Sequence, residues 1–169
     1  MSVAEITETR QYLTFKLGDE VFATDVAKVR EVLDFTTITK IPRTPDFMSG
    51  VINLRGTVVP VVDLRLSFEM SQTEKTVNTC IVVVEMLIEG ESTVIGALAD
   101  SVEEVIDLEP DQIQPPPRIG TQIRTEFIKG MGKRDAQFIM ILDIDRVFSV
   151  EELGILHAES GQPLVEMAV

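Results

Sequence analysis

The chain has 169 residues, 44% of them hydrophobic, a formal net charge of −13, no Trp, and a single Cys and His. A chain this acidic, with no basic stripe, is repelled by phosphate backbones and anionic lipid. Its lone Cys80 cannot form an internal disulfide, and no stretch offers the roughly 20 uncharged apolar residues of a membrane span. These features point to one domain, or two tightly packed halves, inclined to β structure by Val, Ile and Phe. The cytoplasm is the expected location, with no nucleic acid and no membrane insertion, and basic or locally positive proteins are the expected partners.

Residues 1–10 (MSVAEITETR) are acidic, lack the apolar run of a signal peptide and are expected to form a flexible leader. Residues 11–17 (QYLTFKL) alternate, Gly18-Asp19-Glu20 turns the chain, and Val21-Phe22-Ala23 starts the return arm of a hairpin. Residues 26–34 (VAKVREVLD) fit helical and strand spacing alike, with Val29, Val32 and Leu33 leaning toward a strand. Pro42 and Pro45 break the chain, and residues 46–49 are expected to form one helical turn. Residues 50–65 (GVINLRGTVVPVVDLR) are the most regular hairpin, turned at Asn53-Leu54-Arg55-Gly56, with its second arm expected to run toward Phe68.

Residues 71–79 (SQTEKTVNT) read as a linker. Strands are expected over 79–89 and 93–99, turned by Gly90-Glu91-Ser92, and again over 102–108. Pro110 and Pro115-Pro116-Pro117 make 109–120 a loop or polyproline segment. A short helical piece is expected at 124–129, a buried strand at 137–142 (QFIMIL) and a helical turn at 144–148. Ser149 with Glu152 forms a capping box that starts a C-terminal helix, and residues 159–169 are expected to fray.

The two halves repeat each other. Phe47, Gly50, Val62-Asp63-Leu64 and Phe68 recur in the second half, in the same order and at one constant offset, as Phe127, Gly130, Leu142-Asp143-Ile144 and Phe148. Val29-x-Glu31-Val32-Leu33-Asp34 recurs at a slightly shorter offset as Val102-x-Glu104-Val105-Ile106-Asp107, and Pro42 recurs with it as Pro115. A duplicated unit with about five short strands predicts two small closed barrels, over about 11–70 and 79–148, each with its core inside and a groove where they meet. Charged positions have diverged between the copies. Asp145 stands where the first half has Arg65, which is either drift at exposed sites or specialisation of a binding surface.

Chemistry is sparse. His157 and Cys80 have no partners in sequence for catalysis or for a zinc site, and Cys80 opens an apolar run as a small buried hydrophobe would. Gly130-Met131-Gly132-Lys133 hints at a phosphate loop, but Phe127 stands at the required glycine and Arg134 at the required Ser or Thr. The carboxylate runs Glu103-Glu104, Asp143/Asp145 and Glu151-Glu152 read as solvated faces rather than a catalytic pair.

The segments Gly50-Val51-Ile52-Asn53-Leu54-Arg55-Gly56 and Val59-Pro60-Val61-Val62-Asp63-Leu64-Arg65 resemble the signature hairpin of the CheW family of bacterial chemotaxis coupling proteins. Phe15-x-Leu17-Gly18-Asp19-Glu20, Ile41-Pro42-x-x-Pro45-x-Phe47-x-x-Gly50 and Phe127-Ile128-x-Gly130 agree, and the resemblance covers residues 11–156. It implies an all-β chain of two SH3-like five-stranded barrels, with no catalysis and no cofactor. It implies two partners: the regulatory domain of the chemotaxis histidine kinase CheA, and the cytoplasmic tip of methyl-accepting chemotaxis receptors, in arrays at the inner face of the membrane. By this resemblance the receptor tip docks on Val29, Glu31, Val32, Asn53, Arg55, Gly56, Val59 and Val102, with apolar groove residues taking a helix face. A Glu31–Arg65 salt bridge is expected to brace the groove, and Pro117, Arg118 and Ile119 are the expected kinase contact. A chemotaxis-like pathway controlling pili or gliding would use the same fold. A barrel that senses a small ligand is the alternative of another class, against which the filled Val/Ile pattern argues.

Overall fold

A computed structural model describes residues 8–88, 90–116 and 127–147. The chain is almost entirely strand. β1 (Arg10–Leu17) and β2 (Glu20–Asp25) form the first hairpin, and a 3₁₀ turn at Val26–Lys28 leads into β3 (Val29–Asp34). The signature hairpin is β4 (Met48–Leu54) and β5 (Thr57–Asp63), followed by the one-turn helix α1 (Leu64–Ser67). β6 (Cys80–Ile88), β7 (Glu91–Ala99) and β8 (Ser101–Leu108) follow, then the two-residue β9 (Ile113–Gln114). β10 (Ile128–Arg134), β11 (Gln137–Leu142) and a 3₁₀ turn at Ile144–Arg146 complete the described chain.

Two sheets result, ordered β8-β1-β2-β11-β10-β9 and β3-β6-β7-β5-β4. Each closes toward an SH3-like barrel. In the first half, Thr39 and Val51 exchange backbone hydrogen bonds of 2.8 Å in both directions. In the second, β9 pairs with Met131 and Gly132 of β10. The hairpin β1–β2 sits in the sheet of the second half, whereas β6–β7 sits in the sheet of the first. Segments 11–70 and 79–148 therefore exchange hairpins, and the chain crosses between sheets at Val26–Lys28 and again at Asp100.

The repeat is visible in backbone detail. The ladder irregularity between Met48 and Gly50 recurs at the matched positions Ile128 and Gly130. Asp63 N–H donates to Phe47 O at 2.7 Å, and Asp143 N–H donates to Phe127 O at 2.8 Å. Parallel pairs match as well: Val61 lies opposite Gly96, and Ile141 opposite Ala23.

The core differs from the expected one. Each barrel has its own interior, with Ile52, Val61 and Ile81 among the residues filling one and Tyr12, Ile106 and Ile141 among those filling the other. The largest buried cluster, however, is shared by both sheets and includes Phe15, Leu17 and Phe22 together with Val82, Val84, Met86 and Ile95. Strands β1, β6 and β7 carry apolar residues on both faces, so one face fills a barrel and the other joins the barrels. A phenylalanine stack, Phe15–Phe22–Phe68–Phe127, runs through this seam with ring centroids 6.1, 5.6 and 4.6 Å apart. Cys80 is buried there as expected, and burial pushes its thiol pKa up.

Several local expectations change. Residues 46–49 are a turn closed by Met48 N–H on Pro45 O (3.0 Å) and then strand, not helix. The arm β5 stops at Asp63 instead of continuing, because the Asp63 carboxylate accepts from Arg65 N–H (3.1 Å) and caps α1. The 109–120 loop contains a 3₁₀ turn at Pro110–Gln112. The C-terminal helix from Ser149, Phe148 and His157 lie outside the described residues.

Candidate protein-docking site

The signature hairpin turns through Arg55 (φ 50°) and Gly56 (φ 87°), two consecutive left-handed residues that match the twist of the flanking strands. Asn53 supports the turn, its Oδ1 accepting from Gly56 N–H at 2.7 Å. A Cβ at Gly56 would meet nothing within 4 Å, so the glycine serves backbone conformation and leaves an open tip. Gly50 is different: at φ 144° its Cβ would overlap Thr39 O, and only a glycine lets that carbonyl close the barrel.

From this tip Arg55 reaches across to the edge strand β3. Its Nη1 donates to Glu31 Oε1 at 3.2 Å, and its Nη2 donates to Oε2 in a shorter contact. The hydrogen bond from Arg55 holds the Glu31 carboxyl below the usual carboxylate range; burial opposes it, and the Arg55 and Arg30 charges add to it. The same bond raises the Arg55 guanidinium. Next door, Arg30 pairs with Glu85 at 2.6 Å. The ion pair roofs a depression of about 380 Å³, lined by Arg30, Glu31, Leu54, Arg55, Thr57, Val59, Val83 and Val94.

The expected receptor residues divide between two faces of this edge. Glu31, Arg55 and Val59 meet in the depression. Val59 is only 2% exposed and floors it rather than offering a contact. Val29 and Val102 are half-buried against the seam between the barrels. Val32 lies opposite Val82, on the seam-facing side of β3, and is 43% exposed. Asn53 and Gly56 stand exposed at the hairpin tip. Sequence reasoning missed Val58, 51% exposed and opposite Asn53; the alternation of Val58 with buried Val59 was the available signal.

The expected Glu31–Arg65 bridge is not formed. Because β5 ends at Asp63, Arg65 leaves the strand and turns to the crossover, where its Nη1 donates to Asp100 at 2.6 Å. Its Nε and Nη2 donate to Ser71 O and Oγ, both at 2.9 Å. Arg55 takes the place beside Glu31. The expected kinase residues Pro117, Arg118 and Ile119 lie outside the described residues. Among the described residues, no group of three or more His, Cys, Asp or Glu is placed to hold a metal ion, and no helix is long and apolar enough to cross a membrane.

A family model, the CheW-like domain, matches residues 11–152. The chain belongs to the CheW family. It is 34% identical over 150 residues to the chemotaxis protein CheW of Klebsiella aerogenes, covering 89% of this chain and 88% of the relative. Identity to the chemotaxis protein CheW of Rhizobium meliloti is also 34%, over 143 residues, 85% of this chain and 90% of the relative. Protein FrzA of Myxococcus xanthus is 30% identical over 128 residues, 76% of this chain and 77% of the relative. Among solved structures, the scaffolding protein TtCheW of Thermoanaerobacter tengcongensis superposes with a TM-score of 0.74 at 37% identity, over 85% of this chain and 90% of that one. The chain is thus a bacterial chemotaxis scaffold of the CheW type, with the two-barrel fold of that family.

Proposed function

We propose that this chain is a non-catalytic adaptor that couples the cytoplasmic tip of methyl-accepting chemotaxis receptors to the regulatory domain of the histidine kinase CheA. The receptor tip, a helical hairpin, lies along the edge formed by β3 and the β4–β5 tip. Val29, Val32 and Val102 take its apolar face, while Arg55, held by Glu31, and Asn53 present polar groups at the open end. Val59 acts from below by supporting the ion pair. The observation that carries this reading is the forked Glu31–Arg55 pair beside exposed Val32 and Val58, on the hairpin that carries the family signature.

A pull-down with a receptor tip fragment and the kinase tests it, comparing wild type with Gly56→Asp. The substitution meets no atom within 4 Å and brings a charge into the docking edge, but it strains a left-handed position (φ 87°), so circular dichroism accompanies the pull-down to report the fold. Loss of the receptor fragment with the kinase retained is the expected result. Capture of neither partner by wild type would overturn the coupling function.

A further inference from the structure

The second half carries a copy of the docking edge in which charge is inverted. Strand β8 and the β10–β11 tip enclose a depression of about 360 Å³, lined by Thr14, Lys16, Val21, Glu103, Glu104, Arg134, Asp135, Gln137 and Ile139. The internal repeat maps it onto the first: Glu103 and Glu104 onto Arg30 and Glu31, Asp135 onto Arg55, Ile139 onto Val59. One ion pair on the matched glutamate is rebuilt from the neighbouring position: Arg134, which maps onto Leu54, donates its Nη1 to Glu104 Oε1 where Arg55 meets Glu31. A second is kept with its signs exchanged. Val29 lies opposite Val84 as Val102 lies opposite Phe15, so Glu85 and Lys16 are matched, and Arg30–Glu85 becomes Glu103–Lys16. The lining of the first depression holds two cations and one anion, and that of the second holds two cations and three anions.

Apolar exposure follows the same mapping. The exposed Val32 and Val58 of the first edge correspond to Val105 and Phe138 of the second, 51% and 49% exposed. These four are most of the large exposed hydrophobic residues among the described ones, so exposure concentrates on two matched edges instead of scattering. Phe138 also replaces a valine by a larger ring and still leaves about half of it exposed. Drift would not keep the floor, the ion pairs and the exposed apolar positions together while reversing signs at Arg30/Glu103 and Arg55/Asp135.

We infer that the β8 and β10–β11 edge is a second protein-docking surface, whose occupant is a basic, aliphatic segment of another protein. Lys or Arg side chains of that segment face Glu103 and Asp135, and its aliphatic side chains cover Val105 and Phe138. Exposed acidic groups steer such a partner and reject the partner type suited to the first edge.

Two labelled probe peptides of equal length test this, one built of Leu and Lys and one of Leu and Glu in the same pattern. Amide shifts of the full chain map where each binds, and anisotropy gives the affinity. The Lys peptide is expected to perturb Ser101–Leu108 and the 134–138 tip. Glu103→Lys with Asp135→Arg should weaken it at least ten-fold and admit the Glu peptide. Phe138→Ala, which disturbs no ion pair, should weaken it without admitting the Glu peptide, and Arg55→Ala should leave it unchanged. Shifts spread over the acidic surface, shifts centred on β3, or an unchanged affinity in the charge-reversed variant would overturn the second surface. The charge-reversed and Phe138 variants lie in the second half, so their failure leaves the receptor pull-down with Gly56→Asp as a separate question.

Discussion

Arg65 and Asp145 occupy the same place in the two halves of the chain and carry opposite charge. Each nevertheless makes the same kind of contact. Arg65 donates to Asp100 at the crossover from β7 to β8, which also accepts from Gly18 N–H at 2.5 Å. Asp145 accepts from Lys28 at 2.9 Å, at the crossover from β2 to β3, and its other oxygen accepts from Leu87 N–H at 2.8 Å. The two crossovers are where the chain passes between barrels, so each clasp ties the turn that ends one barrel to the strand entering the other. In this duplicated fold the position of an ion pair persists while its polarity inverts. Reversal therefore leaves the framework intact and rewrites the surface, as it does at Arg30/Glu103.

The halves are not equally demanding, and substitutions in both separate what they share from what they do not. The largest contrast is expected between Gly50 and Gly132, one in the closure of each barrel. Gly50→Ala forces a left-handed residue against Thr39 O and should lower the unfolding free energy by about 3 kcal/mol or more. Gly132 is not in the left-handed region and its Cβ would press only on the flexible end of Leu108 at 2.9 Å, so Gly132→Ala should cost less, about 1–2 kcal/mol. Urea unfolding measures both, and equal losses would mean the two closures are built alike.

The clasps come next. Arg65 is 18% exposed and fixes three acceptors, so Arg65→Ala should cost about 1–2 kcal/mol. Lys28 is 35% exposed and holds one, so Lys28→Ala should cost under about 1 kcal/mol and fade in salt. A Lys28 variant as damaging as the Arg65 variant would reverse the ranking.

The smallest effect concerns acid. Glu31 is held below the ordinary carboxylate range in the folded chain, so the stability it contributes is present above the unfolded value and is lost as pH falls through the folded one. The Gly56 amide and Arg55 side-chain resonances should stay constant from pH 8 to about pH 5 and move only below the range of a free glutamate. In Arg55→Ala, Glu31 should titrate in the ordinary range; a wild-type Glu31 that already does so would remove the ion pair as the feature holding the tip.

Much of this was legible in the chain. Alternating Val and Ile wrote the hairpins, and the echoed motifs of the two halves wrote the duplication, because period-2 burial and repeated spacing are local properties. Asn53, Arg55 and Gly56 announced a turn by their types alone. The Arg55–Glu31 pair was harder. Arg65 also belongs to the signature and is equally charged, and nothing local says that Asp63 will cap a helix and swing Arg65 away from the edge. Alternation does place Val58 and Val59 on opposite faces, but the ion pair over Val59 appears only once the barrel closes.

Strand content, the duplicated unit, the family and the open glycine tip were written in the chain alone, since each follows from neighbouring residues and their spacing. Folding added three things: the exchange of hairpins between halves, a largest core at the seam between barrels, and the choice of acid that each arginine meets. Those outcomes depend on residues far apart in the chain. Arg55 and Glu31 are 24 positions apart, and Asp145 and Lys28 are 117 apart, so only closure of the barrels brings them within reach.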